Sequence, residues 1–185
     1  MNMKRSGCVL IFSGIIFFFF VAHSRPVCAK DPELGKEKLR DLNAQIIEAD
    51  EKQDLPAALS AAEEAVRVAK TEFGEKSLEA ADTMNNLANL YMAANRAPEA
   101  SQIYQQAILI NLEKQDKNSI AMAEIYFNLG VAYAAQKKYK PAIDILRKSR
   151  AIYLEKQGPE GEGSKGTEEM ITELTRILYP QEEIL

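Results

Sequence analysis

The chain has 185 residues, 46% of them hydrophobic and 27% charged, which is ordinary for a globular protein and unlike a disordered one. Residues 1–29 carry Lys4, Arg5 and Arg25 and no acid, so beyond them the net charge falls from −4 to −7. An acidic body excludes nonspecific nucleic-acid or anionic-lipid binding, which needs a basic surface. The only histidine, His23, and both cysteines, Cys8 and Cys28, also precede residue 30, and there is no tryptophan. Without that segment the chain has no thiol nucleophile, no histidine base and no His/Cys metal site.

The first element in chain order is an address. Lys4 and Arg5 precede an uncharged run from Val9 to Ala22. At about 1.5 Å per residue this run spans roughly 21 Å, short of a roughly 30 Å hydrocarbon core. Val27-Cys28-Ala29 then places small residues three and one before a cut after Ala29. The pattern predicts a secretory signal peptide over residues 1–29 and a secreted or periplasmic location. The alternative is an uncleaved membrane anchor over residues 9–22.

The remainder repeats at a period of 42. That shift aligns Ala58, Ala100 and Ala142, and Val68, Ile110 and Ile152. It also pairs Pro56 with Pro98, Ala65 with Ala107, Ser77 with Ser119, Ala81 with Ala123, Asn86 with Asn128, Leu87 with Leu129, and Tyr91 with Tyr133. Leu112-Glu113-Lys114-Gln115 recurs as Leu154-Glu155-Lys156-Gln157. The reading is three copies of one unit over residues 30–157, at about 38–75, 77–117 and 119–157.

Each unit reads as two helices. Met84, Leu87, Ala88 and Tyr91 fall on one helical face, and Tyr126, Leu129, Gly130 and Tyr133 do so one period later. Pro98 suits the first turn of the following helix, where its missing N–H costs nothing. The second helices carry Ala100, Tyr104, Ala107 and Ile108, then Ala142, Ile145 and Leu146. Small residues let two backbones approach while large ones fill the spaces beside them. The first unit lacks the Leu and Tyr of its opening helix, having Gln45 and Ala49 there, and the third has Ser149 where Ala65 and Ala107 stand. No stretch alternates with period two, so no sheet is expected.

Four glycines within residues 158–166 argue for a linker. Thr167 is then expected to cap a last helix over 167–179, with the apolar stripe Met170, Ile171, Leu174, Ile177 and Leu178. Because repeat stacks expose an apolar end, this helix reads as a cap over the third unit. The alternative is a segment that makes dimers.

Small/large spacing of this kind resembles the tetratricopeptide repeat. The 42-residue period and the run Asn85-Asn86-Leu87-Ala88-Asn89-Leu90-Tyr91 resemble the kinesin light chain subclass of that family. The resemblance covers about residues 38–157. It implies an all-α fold: a right-handed α-solenoid of three helix-turn-helix repeats with a C-terminal capping helix. It also implies a non-catalytic scaffold that needs no cofactor and holds a peptide or protein partner in its hollow face. Stacked pairs turn their first helices toward that face, and the positions off the core stripe are Asp82, Asn85, Asn86, Asn89, Glu124, Phe127, Asn128 and Val131. Asn86 and Asn128 match the place at which the family's asparagines hold a cargo backbone. The rival reading is that they bond a neighbouring helix and fix repeat spacing. Phe127 is expected to offer an apolar anchor. Asp82 and Glu124 speak against a clamp for a terminal carboxylate and favour neutral or basic segments. The alternative function is a structural assembly module that self-associates through its repeats or its C-terminal helix.

Overall fold

The computed structural model describes residues 32–114 and 117–180. The segment read as a signal peptide lies outside them. Among the described residues seven helices follow one another: α1 Pro32–Glu51, α2 Leu55–Glu72, α3 Leu78–Ala93, α4 Ala97–Lys114, α5 Ile120–Ala135, α6 Tyr139–Gln157 and α7 Glu162–Leu178. There is no strand among the described residues. Each helix packs on the next in order, and α3 also touches α5, so the array is a one-dimensional stack of hairpins, an α-solenoid.

The period is built into the turns and caps. Ser77 and Ser119 cap α3 and α5, each hydroxyl accepting a backbone N–H, from Ala80 at 3.1 Å and Met122 at 3.2 Å. Gln53, Asn95 and Lys137, one period apart, turn the chain with φ of 56°, 57° and 59°. Ala58, Ala100 and Ala142 are buried where the paired helices meet, as are Ala81 and Ala123. Ser149, the odd residue of the third unit, is also fully buried, and its hydroxyl donates to the Ala123 carbonyl at 2.7 Å. The departure from alanine therefore leaves no polar atom unsatisfied.

The links between units explain two sequence matches. The Tyr91 hydroxyl donates to Glu63 at 2.9 Å, and the Tyr133 hydroxyl accepts from Gln105 at 2.6 Å. Both tyrosines thus reach one residue position on the second helix of the preceding unit. The recurrent Leu-Glu-Lys-Gln places Glu113 against Lys76 at 3.1 Å and Glu155 against Asn118 at 3.3 Å. Each glutamate reaches the loop before the opening helix of its own unit. The two glutamate contacts are exposed, are worth at most about 1 kcal/mol each and mainly fix register.

The structure corrects the expected linker. Only residues 158–161 are non-helical, and α7 begins at Glu162 rather than Thr167. Its cap, Gly161, stands one period after Ser119, so α7 is the opening helix of a fourth unit in register. Gly163 is there for contact: a Cβ on it would lie 2.5 Å from the Tyr153 ring. Thr167 is buried, and its hydroxyl donates to the Gly163 carbonyl at 2.6 Å. Similarly α1 starts at Pro32, before residue 38, with Gly35 against Phe73.

Both ends of the stack are polarised in the same way. In α7, Ser164, Thr167, Ile171 and Leu174 are buried, at the register of Met122, Ile125, Leu129 and Ala132 in α5. The positions that face the second helix of a unit, Ala123, Tyr126 and Gly130, become the exposed Lys165, Glu168 and Thr172. At the other end, Gln45 and Ala49 hold the register of Leu87 and Tyr91, beside a groove of about 490 Å³ between α1 and α2. Gln45 is exposed there, whereas Ala49 is buried and shares the groove with Ala57, Ala61 and Glu64 of α2.

Candidate partner-binding face

The opening helices α3 and α5 carry the residues singled out by the sequence. Asp82, Asn86 and Asn89 of α3 and Glu124 of α5 are exposed, while Asn85, Asn128 and Val131 are half-buried. A bond from Asn128 Nδ2 to Asn89 Oδ1 at 3.2 Å joins α5 to α3 and puts these two amides on one side of the stack. The same Asn89 oxygen accepts the Tyr104 hydroxyl at 2.5 Å. Tyr104 comes from α4 and is 1% exposed. Asn86 is solvent-facing, and its side chain makes no hydrogen bond among the described residues.

The repeat-equivalent asparagines therefore differ. Asn128 bonds a neighbouring helix, through the Asn89 side chain rather than a backbone, and Asn86 does not. Asn85 is turned inward, with its Oδ1 enclosed and unpaired. Phe127 is half-buried and packs against the cluster of Ala142, Ile143, Leu146, Ile171 and Leu174, so much of its ring is covered by the chain itself. The sequence reading missed Tyr104, which its spacing marked only as core. The signal was the interval of 39 between Asn89 and Asn128, one helical turn short of the period.

The charge on this face is negative. Asp82 keeps part of its surface in water, but desolvation of the rest, and then the neighbouring Glu79, push its carboxyl above the usual range. The folded chain then holds this proton more readily than the unfolded one. The stability Asp82 contributes is highest below the unfolded value of about 3.9 and falls as pH rises through the folded one. Asp82→Asn is expected to raise the melting temperature modestly at pH 7 and to leave it unchanged at pH 3. A melting temperature lowered at pH 7 would show that the charge is stabilised instead. Among the described residues no group of His, Cys, Asp and Glu could hold a metal ion, and no helix is long and apolar enough to cross a membrane.

In-register helix hairpins, small residues at each crossing and a row of side chains along the opening helices define an all-α helical-repeat protein. The family model described as Tetratricopeptide repeat matches residues 49–112 and again 79–155, over half of the chain. The chain belongs to the tetratricopeptide repeat family. No curated protein matches the sequence. Among solved structures it is similar to a variant form of the Podosopora anserina kinesin light chain nearly identical TPR-like repeats. That match has TM-score 0.70 and 17% identity and covers 78% of this chain and 68% of the other. BtubC (BKLC) from P. vanneervenii gives TM-score 0.62 and 17% identity, over 86% of this chain and 69% of that one. The TPR2B domain of yeast Sti1, solved in complex with pHsp70, gives TM-score 0.57 and 20% identity, over 76% and 98%. At these identities the likeness carries the fold.

Proposed function

We propose that this chain is a non-catalytic scaffold that holds an extended, neutral or basic segment of a peptide or protein partner along the face of α3 and α5. The observation that carries this reading is the set of amides in mid-helix, Asn86, Asn89 and Asn128. Asparagine is a poor helix former, and the Asn86 side chain gives the fold no hydrogen bond in return among the described residues. A carboxamide both donates and accepts, so it can engage a partner's backbone whatever its side chains. Asp82 and Glu124 lie on the same helices and add a field that attracts cations. The Sti1 neighbour, solved with pHsp70, supports the general mode of use.

Self-association through α7 has less support. Of its apolar stripe, Ile171 and Leu174 are covered within the chain with Met170 and Leu178 packed beside them, and only Ile177 is left exposed. We also propose export after cleavage at Ala29, on the strength of the basic head, short apolar run and small-residue site. A chain purified from a periplasmic fraction is expected to begin at Lys30, and an intact Met1 there would contradict cleavage.

The binding reading is tested with peptides selected from a random display library on the purified chain. The selected sequences should be enriched in Lys and Arg. Asn86→Ala with Asn128→Ala should weaken them at least about tenfold, a loss of about 1.4 kcal/mol. The melting temperature should stay within about 3 °C of the wild-type value. Undiminished affinity would overturn the assignment of this face, and a collapse of the melting temperature would show that the asparagines serve repeat spacing.

A further inference from the structure

On the proposed binding face, we propose that Tyr104 is a positioning residue that aims the Asn89 and Asn128 amides outward as a matched donor and acceptor for one peptide unit of the partner. The Tyr104 hydroxyl and the Asn128 Nδ2 both point at Asn89 Oδ1, at 2.5 Å and 3.2 Å. The Asn89 oxygen accepts both bonds; turning its amide over would set nitrogen against the Asn128 nitrogen and break that bond, and would require the Tyr104 hydroxyl to accept instead of donate. Asn89 is exposed, and its nitrogen keeps two N–H groups that make no hydrogen bond among the described residues. Asn128 uses one N–H on Asn89, which fixes its own orientation and leaves its Oδ1 outward as an acceptor.

A peptide unit offers one C=O and one N–H, so the outward Asn89 donor and Asn128 acceptor complement it. Tyr104 suits the task because it does not move. It comes from α4, is 1% exposed and sits in the core cluster with Leu87, Ala88, Tyr126 and Leu129. Burial also raises its ionisation above the ordinary phenol range, so it remains a donor at every physiological pH. An amide held in advance loses less freedom on binding than a free one.

The inference rests on the binding face proposed above, and two readouts separate the two. The first needs no ligand: the exchange rates of the Asn89 and Asn128 carboxamide protons, followed by NMR on the full chain. Tyr104→Phe keeps the ring and removes the hydroxyl. It should speed the exchange of the Asn128 amide at least about fivefold and shift the melting temperature by no more than about 3 °C. The second readout is the affinity of peptides selected on the wild-type chain. Tyr104→Phe should weaken them about tenfold. Asn89→Asp keeps an acceptor for both inner bonds but loses the outward donor. It should preserve Asn128 protection and still lose affinity, despite an added negative charge that favours basic peptides. Unchanged exchange and unchanged affinity in Tyr104→Phe would overturn the positioning role. Weakened binding with no change in exchange would overturn it too. If Asn86→Ala with Asn128→Ala leaves affinity intact, the binding face itself is wrong, and the exchange data still decide whether Tyr104 holds the amides.

Discussion

Leu146→Ala is expected to lower the unfolding free energy by about 3–4 kcal/mol and the melting temperature by on the order of 10 °C. Leu146 is fully buried on α6 and shares a cluster with Ile171 and Leu174 of α7. It also faces Gly130 of α5, where an added Cβ would lie 2.6 Å from the Leu146 Cγ. One side chain therefore joins three helices, and truncating it opens a cavity that backbones locked at a glycine crossing cannot close. The partner substitution follows from the same contact. Gly130→Ala should gain about 1 kcal/mol of helix propensity yet lose more to overpacking, for a net cost of about 1–2 kcal/mol. In the double variant the new methyl enters the space Leu146 vacates. The two losses should then fall short of additivity by about 1 kcal/mol or more. Chemical denaturation of the four proteins measures this, and additive losses would place the two residues apart.

The second large effect separates two glycines three residues apart on α7. Gly163→Ala should destabilise by about 1–3 kcal/mol, because its methyl would meet the buried Tyr153 ring. Gly166→Ala should stabilise by about 0.5–1 kcal/mol, since nothing lies within 4 Å of its added Cβ and alanine is the better helix former. Thermal unfolding of the two variants gives opposite signs if α7 starts at Glu162 and docks through Gly163. Two small changes of the same sign would instead fit a loose linker up to Thr167.

The period of 42, the helix faces and the small residues at each crossing were legible because they repeat. Ala58, Ala100 and Ala142 announce a close approach by size alone, and the structure buries all three. The glycine-rich segment was misread because glycine has two uses that composition does not separate. At Gly158, with φ of 75°, it relieves backbone strain, whereas at Gly163 it makes room for a ring inside a helix. The second use depends on Tyr153, ten residues earlier, and no local pattern reports it. The opening helix of the first unit looked weak for a reason visible only in space: Gln45 is exposed and Ala49 is buried beside α2, whereas Leu87 and Tyr91 at the same register pack on a preceding helix pair.

The face was legible residue by residue but not in its connections. Asp82, Asn86, Asn89 and Glu124 were placed on the open side by periodicity, and they are exposed. Phe127 was chosen because it stands off the core stripe of α5, but it packs against a cluster shared with α7. Asn86 and Asn128 were paired as equivalents, yet only Asn128 is tied to Asn89. Register assigns a residue to a side of a helix, while the neighbouring helix decides whether its polar atoms remain available.

The central claim is that α3 and α5 present one continuous face to a partner. Side-chain amide and backbone NMR of the full chain, titrated with a lysine-containing peptide selected on it, tests this most directly. The account predicts that the largest shifts fall on Asn86, Asn89 and Asn128 and on the backbone around Asp82 and Glu124. Shifts confined to α2, α4 and α6, or to the exposed end of α7 at Ile177 and Tyr179, would contradict it.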